Sequence, residues 1–304
     1  MTASTHGSHE MIEWLHDSEA DVARVGGKAA SLMRLARLGF RIHPGFCLTT
    51  DAYATQTARL PGTETLRTDP AALLHEPTRL ALVEAMTCGP LSRSIAAAVV
   101  DPLDRLAAET VDDRGRPRLL AVRSSGVAED GAVASFAGLH DTVLGVTADE
   151  VAAAILRCWA SLWSDRAVGY RARRGLALDG GAMAVVIQAL VPAEAAAIVF
   201  TRHPVTGQSD RLLINAVPGL GEAMVSGTVT PDTIVVDKAS GVVIEFVPGD
   251  HAPDGGPALS SAVLSDLVEH CLEVERSFGT PVDIEAAHAA DGWYLLQARP
   301  ITTS

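Results

Sequence analysis

The sequence predicts an α+β protein, long enough for two or more lobes, and three observations carry that reading. Short apolar runs bounded by turn residues crowd the second half, as at 233–237 and 242–247 around Asp237-Lys238-Ala239-Ser240-Gly241. Helical periodicity fills much of the first half and returns near the end. The two patterns do not alternate as they would in a doubly wound sheet. With 304 residues, the chain can bury a large core.

Residues 1–10 are polar, and His6 and His9 there read as tail residues rather than metal ligands. The expected organisation is a flexible N-terminus over 1–18, a first lobe with a helical region over 19–195, and a second lobe over 196–304. Residues 28–38 place Ala29, Leu32, Met33, Leu35 and Ala36 at helical spacing, and Gly39 supplies a stop. Gly26-Gly27 thus precede a helix, with Lys28 in its first turn. Pro44-Gly45 open a short apolar stretch, and 51–109 reads as a run of short helices with Pro breaks. A strand follows at 119–123. Residues 152–173 read as one helix whose stripe of Ile155, Trp159, Leu162 and Trp163 faces the core. Strands are expected at 183–191, 196–201, 211–217, 233–237 and 242–247. A helix over 264–278 ends at Gly279, and a last strand over 293–299 is stopped by Pro300.

The formal net charge of −13 argues against nonspecific binding to nucleic acid or to anionic membranes, although a local basic cleft is compatible with it. Cys47, Cys88, Cys158 and Cys271 are far apart and form no CxxC pair. They read as buried free thiols in a reducing cytoplasm rather than as a disulfide or zinc framework. No signal-peptide pattern or membrane-length apolar run is present.

Four constellations can carry chemistry. Lys28 is one of two lysines in a chain that otherwise uses Arg. Behind Gly26-Gly27 it offers a compact ammonium where the backbone can approach a ligand, which suits a polyphosphate; a plain turn before a helix is the alternative. Arg123-Ser124-Ser125-Gly126, continuing through Glu129-Asp130 to Ser135-Phe136-Ala137-Gly138, delivers an Arg to a strand end beside hydroxyls. That is either a phosphate-binding loop or a polar turn. Phe200-Thr201-Arg202-His203-Pro204-Val205-Thr206-Gly207 is a tight turn whose His203 reads as exposed. In the fourth, Asp283 and Glu285 lie two apart on one segment, as do Gln297 and Arg299 on another. If those segments pair as neighbouring strands, Glu285, Gln297 and Arg299 share one cleft. Carboxylate and carboxamide oxygens suit Mg²⁺, and the Arg suits phosphates that the metal bridges. An ordinary hairpin with a surface ion pair is the competing reading. Gly219-Leu220-Gly221-Glu222 lacks the strand and helix context of a dinucleotide site.

These motifs, in this order from about Gly26 to Thr302, resemble the N-terminal ATP-binding domain shared by phosphoenolpyruvate synthase, pyruvate phosphate dikinase and rifampin phosphotransferase. Pro44-Gly45-Phe46, Pro204 to Gly207, Val225-Ser226-Gly227 and Gln297-Ala298-Arg299-Pro300 belong to the same resemblance. It implies an ATP-grasp fold, with two lobes holding ATP. It also implies contacts from Lys28 and Arg123 to phosphates, Gln188 near the adenine, Glu285 and Gln297 on Mg²⁺, and Arg299 at the transferred phosphoryl. Ala29, Leu139, His203, Pro218 and Ala286 depart from residues common in that family, but none of them is a proposed ligand. The sequence ends where such a domain normally does. The expected activity is therefore AMP-forming transfer to a carrier His on a separate protein. Direct action on a small molecule as a kinase or ligase, and a non-catalytic nucleotide-binding regulatory module, are the competing readings.

Overall fold

The computed structural model describes residues 11–17, 19–112, 114–127, 141–178, 181–251 and 256–301, with 65–67 as backbone only. Glu129, Asp130, the 135–138 stretch and the tail histidines lie outside the described residues. The chain divides into two compact units, Met1–Met33 with Pro44–Leu190, and Arg34–His43 with Val191–Ser304.

The first unit is built on β1 (Ile12–Trp14), β2 (Gly45–Leu48), β3 (Leu120–Gly126), β4 (Thr142–Val146) and β5 (Met183–Ala189). They form one sheet in the order β1-β2-β5-β3-β4, with antiparallel neighbours throughout. Phe46, Ile187 and Val122 are register partners on one face, as are Leu48 and Val185. This face packs into a core with Leu82, Met86, Ile95, Val99, Leu106, Ile155 and Trp159 from the helices Glu76–Cys88, Arg93–Glu109 and Val151–Ala160. The expected short helices of 51–109 are present. Trp159 and Trp163 are core residues, as their spacing indicated, and the Trp159 indole N–H donates to Met183 O at 3.0 Å. Truncating a buried indole of this kind costs about 3–5 kcal/mol.

The single helix expected over 152–173 is two. Val151–Ala160 passes into a 3-10 turn at Ser161–Trp163, and Asp165–Arg174 begins anew. Ser164 is the cause. Its backbone is extended (ψ 153°) and its hydroxyl accepts from Ala167 N–H, so the residue is an N-cap inside an apolar pattern that reads as continuous.

The second unit is a six-stranded antiparallel sheet of β6 (Ala195–Phe200), β7 (Arg211–Pro218), β8 (Asp232–Asp237), β9 (Val243–Val247), β10 (Val282–Ala289) and β11 (Gly292–Pro300). Its order is β11-β10-β6-β7-β8-β9. Val199, Ile214, Ile234 and Ile284 line one face and are buried. The helix Ser261–Phe278 runs from a Ser260 cap to a left-handed Gly279, and Trp293 donates its indole N–H to Val263 O. Lys238, in the β8–β9 turn, reaches both oxygens of Glu275 on that helix at 2.7 Å. The segment Arg34–His43 docks on this unit. Arg41 bonds Asp291 and Tyr294 at 2.6 and 2.8 Å, its carbonyl accepts from Leu295 N–H, and Arg34 lies over the Phe278 ring.

Pro300 does not stop the last strand but closes β11, opposite Val282. The strand lies at the sheet edge, where the missing N–H leaves no ladder bond unmade. Three cysteines are buried, but Cys88 is exposed, which corrects the reading of four buried thiols. It occupies the last turn of Glu76–Cys88, where helical spacing turns it to the outer face.

Candidate functional site

Two groups of side chains are of interest, one in each unit. In the first unit, strand alternation sets Ala121, Arg123 and Ser125 of β3 on the face opposite the core. Gln188 of β5 is the register partner of Ala121 and shares that face. Arg123 is 7% and Gln188 2% exposed, so both need polar partners, and both have them. Gly45 on β2 lies directly against Gln188, where a Cβ would come within 2.8 Å of the Gln188 Cα. The glycine of Pro44-Gly45 is there for close approach.

The helix Val22–Arg37 meets this same face. Its backbone breaks at Gly26, which takes φ 72° and ψ 173°. Four bonds surround the break. Ala29 N–H donates to the Ser125 hydroxyl at 3.1 Å, and that hydroxyl donates to Val25 O at 2.7 Å. The Cys47 thiol donates weakly to the same carbonyl at 3.6 Å, and the Thr50 hydroxyl donates to Ala23 O. Lys28 lies in the first turn after the break, as its spacing indicated, and is half-buried. The structure thus gathers Lys28, Arg123 and Gln188 about one sheet face.

In the second unit, β10 and β11 are neighbouring antiparallel strands, which was the condition set for a shared cleft. Glu285 faces Gln297 directly, and Asp283 faces Arg299. All four lie on the face opposite Val199 and Ile284. A bulge at Glu285/Ala286 shifts the register by one on the β11 side. It lets Leu295 and Ala298 both turn to the core while Gln297 keeps the Glu285 face. The Arg299 guanidinium donates to Asp283 Oδ2 through Nε at 2.9 Å and Nη2 at 2.7 Å. Burial pushes the Asp283 carboxyl above the usual carboxylate range, and Arg299 only partly offsets that.

Gln297 tests whether a metal fits. It is 5% exposed, and its Oε1 is a buried acceptor with no hydrogen-bond partner among the described residues. A buried carbonyl oxygen left unpaired costs about 1–3 kcal/mol unless a ligand satisfies it. Directly opposite is the carboxylate of Glu285, and cross-strand partners stand about 4.5–5.5 Å apart at Cβ. Two hard oxygens so placed fit Mg²⁺, which takes one or two protein oxygens and completes its shell with water and phosphate.

Two residues outside the predicted site take part in this geometry. Asp283 was noted only as a same-side neighbour of Glu285, and the structure makes it the partner that orients Arg299. Ser125 was read as one hydroxyl of a polar loop, and it proves to be the contact between β3 and the helix start. Its position two residues after Arg123 was the available signal. His203 is half-buried rather than exposed. Its Nδ1 accepts from Val205 and Thr206 N–H at 3.2 and 3.3 Å, so it caps its own turn.

Residues 22–304 match the family described as pyruvate phosphate dikinase, AMP/ATP-binding domain. A rifampicin phosphotransferase of a Streptomyces species is 38% identical over 97% of this chain and 36% of its own length. A probable phosphoenolpyruvate synthase of Methanocaldococcus jannaschii is 33% identical over 97% of this chain and 27% of its own length. The chain therefore spans about a third of the length of the curated relatives it matches. Among solved structures, D-alanine-D-alanine ligase from Helicobacter pylori covers 60% of this chain and 42% of its own at 11% identity. The TM-score is 0.29.

Proposed function

This chain belongs to the pyruvate phosphate dikinase AMP/ATP-binding domain family, and from that premise we propose that it is an ATP-dependent phosphotransferase unit of the phosphoenolpyruvate synthase type. The observation that carries the reading is the unpartnered Gln297 Oε1 facing Glu285, with Arg299 on the same strand face. Glu285 and Gln297 hold Mg²⁺, which supplies charge neutralisation at the phosphates when bound. Arg299, fixed by Asp283, stabilises charge on the phosphoryl in transfer. Lys28 and Arg123 take the remaining phosphate charge, and Gln188 lies near the adenine. Phosphoryl transfer leaves little covalent work to the protein, so positioning and electrostatics supply the rate. The acceptor is a carrier histidine on a separate protein, which takes the β-phosphoryl group while the γ-phosphoryl leaves to water as inorganic phosphate and AMP remains, and the setting is the cytoplasm. Among the described residues no helix is long and apolar enough to cross a membrane.

A second reading has one observation in its favour: relatives named rifampicin phosphotransferase act on a small molecule. On that reading the acceptor is a small molecule.

The test is chromatography of the nucleotides formed from ATP and Mg²⁺, with and without a pool of candidate acceptors, beside calorimetry of MgATP binding. AMP supports the leading reading, and ADP supports direct transfer of the γ-phosphoryl. No MgATP binding in the presence of Mg²⁺ removes both. Arg299→Ala is expected to lower turnover by about 10²–10³. Wild-type turnover in that variant would show that the site is elsewhere.

A further inference from the structure

The break at Gly26 lies between the two motifs of the first unit. In an unbroken helix Ala29 N–H would donate directly to Val25 O, four residues back. Here the Ser125 hydroxyl stands in the gap, accepting from the one at 3.1 Å and donating to the other at 2.7 Å. A side chain inserted in the ladder is a recognised cause of a helix kink. Measured from the break, Gly26 is the N-cap and Ala29 the third helical residue. A cap normally satisfies that N–H with its own side chain, and glycine has none. Ser125 supplies the missing oxygen from a strand 100 residues away in sequence. Its fit is close. A Cβ on Gly26 would come to 2.1 Å from Ser125 O and 2.5 Å from its Oγ.

We propose that Ser125 is a positioning residue whose hydroxyl, bridging Ala29 N–H and Val25 C=O, holds the helix open at Gly26 and so fixes Lys28 relative to Arg123. The inference rests on the ATP reading given above. Arg123 and Ser125 lie two apart on β3 and on one face, so a single strand sets both cations. Without the hydroxyl, Ala29 N–H can recover Val25 C=O only if Gly26 leaves φ 72° for the helical region. That straightens the segment and turns Lys28 away from the register β3 imposes. The nearby Ser124 shows that a serine here need not act so, since its hydroxyl is buried on the opposite face with no hydrogen-bond partner among the described residues.

The experiment is a double-mutant cycle read by calorimetry of MgATP binding in wild type, Ser125→Ala, Lys28→Ala and the double variant. Circular dichroism checks that each folds. Ser125→Ala is expected to weaken binding about tenfold, the effect of losing the one charge-assisted bond that a displaced Lys28 ammonium no longer makes to phosphate. The double variant should then bind within about twofold of Lys28→Ala, because there is no longer an ammonium to position. Loss of packing alone would add to the Lys28 effect in full. If Ser125→Ala does not fold, Ser125→Cys decides, since its larger sulfur cannot bridge the amide and the carbonyl at the short distances the hydroxyl holds. Weakened binding coupled to Lys28→Ala supports the proposal in either variant. Wild-type affinity, or losses that add fully, overturn it. If Lys28→Ala loses affinity while the Ser125 variants keep it, the ATP reading stands and only the positioning role fails. If wild type itself binds no MgATP, both fall.

Discussion

In the first unit, the cation at Lys28 is placed by main-chain geometry. A left-handed glycine breaks a helix, a strand hydroxyl bridges the break, and Lys28 follows two residues on. In the second unit, Glu285, Gln297, Asp283 and Arg299 are placed by strand register, and their own side chains make the pair that fixes Arg299. The first arrangement is sensitive to volume and backbone angle and insensitive to charge. The second is the reverse. Side chains can therefore be placed by two devices that fail in different ways, and the failures tell them apart.

The largest contrast is expected from Gly26→Ala. The substitution forces a positive φ on alanine and drives a methyl to 2.1 Å from a backbone oxygen, so it should cost about 3 kcal/mol or more of stability. Glu285→Gln keeps shape and backbone and should cost less than about 0.5 kcal/mol. Urea unfolding of the two variants measures both, and equal costs would break the contrast.

A smaller effect separates the units by pH. Burial holds the folded Asp283 carboxyl above its unfolded value. Its contribution therefore favours the fold below the unfolded pKa and is lost as pH rises through the folded one. Asp283→Asn has no such dependence, so wild type should lose stability relative to the variant as pH rises from 4 to 7. A urea-midpoint series that runs the other way would show that Arg299 outweighs burial.

The smallest effect is a local one, read by thiol labelling. Burial raises the thiols of Cys47 and Cys271, which lie in different units. Cys47 bonds the carbonyl at the Gly26 break, whereas Cys271 sits on the helix of the second unit. In Gly26→Ala, Cys47 should react with iodoacetamide earlier than Cys271, with exposed Cys88 labelled first in every case. Equal rates at Cys47 and Cys271 would mean that the damage does not stay near the break.

Much of this was legible in the sequence, for identifiable reasons. Gln297 and Arg299 lie two apart on β11, both on the same side of the bulge, so their shared face follows from a period of two. The helix after Gly26-Gly27 follows from its apolar spacing and from Gly39. Ser164 was not legible as a break, because Ile155, Trp159, Leu162 and Trp163 keep helical spacing up to it. Nor was the docking of Arg34–His43 on the second unit, which depends on Asp291 and Tyr294 some 250 residues away in sequence. Ser125 illustrates the general difficulty. Its residue type fits a turn, a phosphate loop or a cap, and only the approach of a distant backbone selects among them.

One feature of the β8–β9 turn bears on how the protein can be handled chemically. The chain has two lysine side chains, and Lys238 is held by both oxygens of Glu275 with only 15% of its side chain exposed. An amine so engaged is a poor nucleophile toward acylating reagents until the Glu275 pair opens. A lysine-directed protease meets the same two residues, and cleavage at both divides the chain into fragments 1–28, 29–238 and 239–304. Acylation removes the charge such a protease recognises, so a tag on Lys28 would appear on fragment 1–238 and a tag on Lys238 on fragment 29–304.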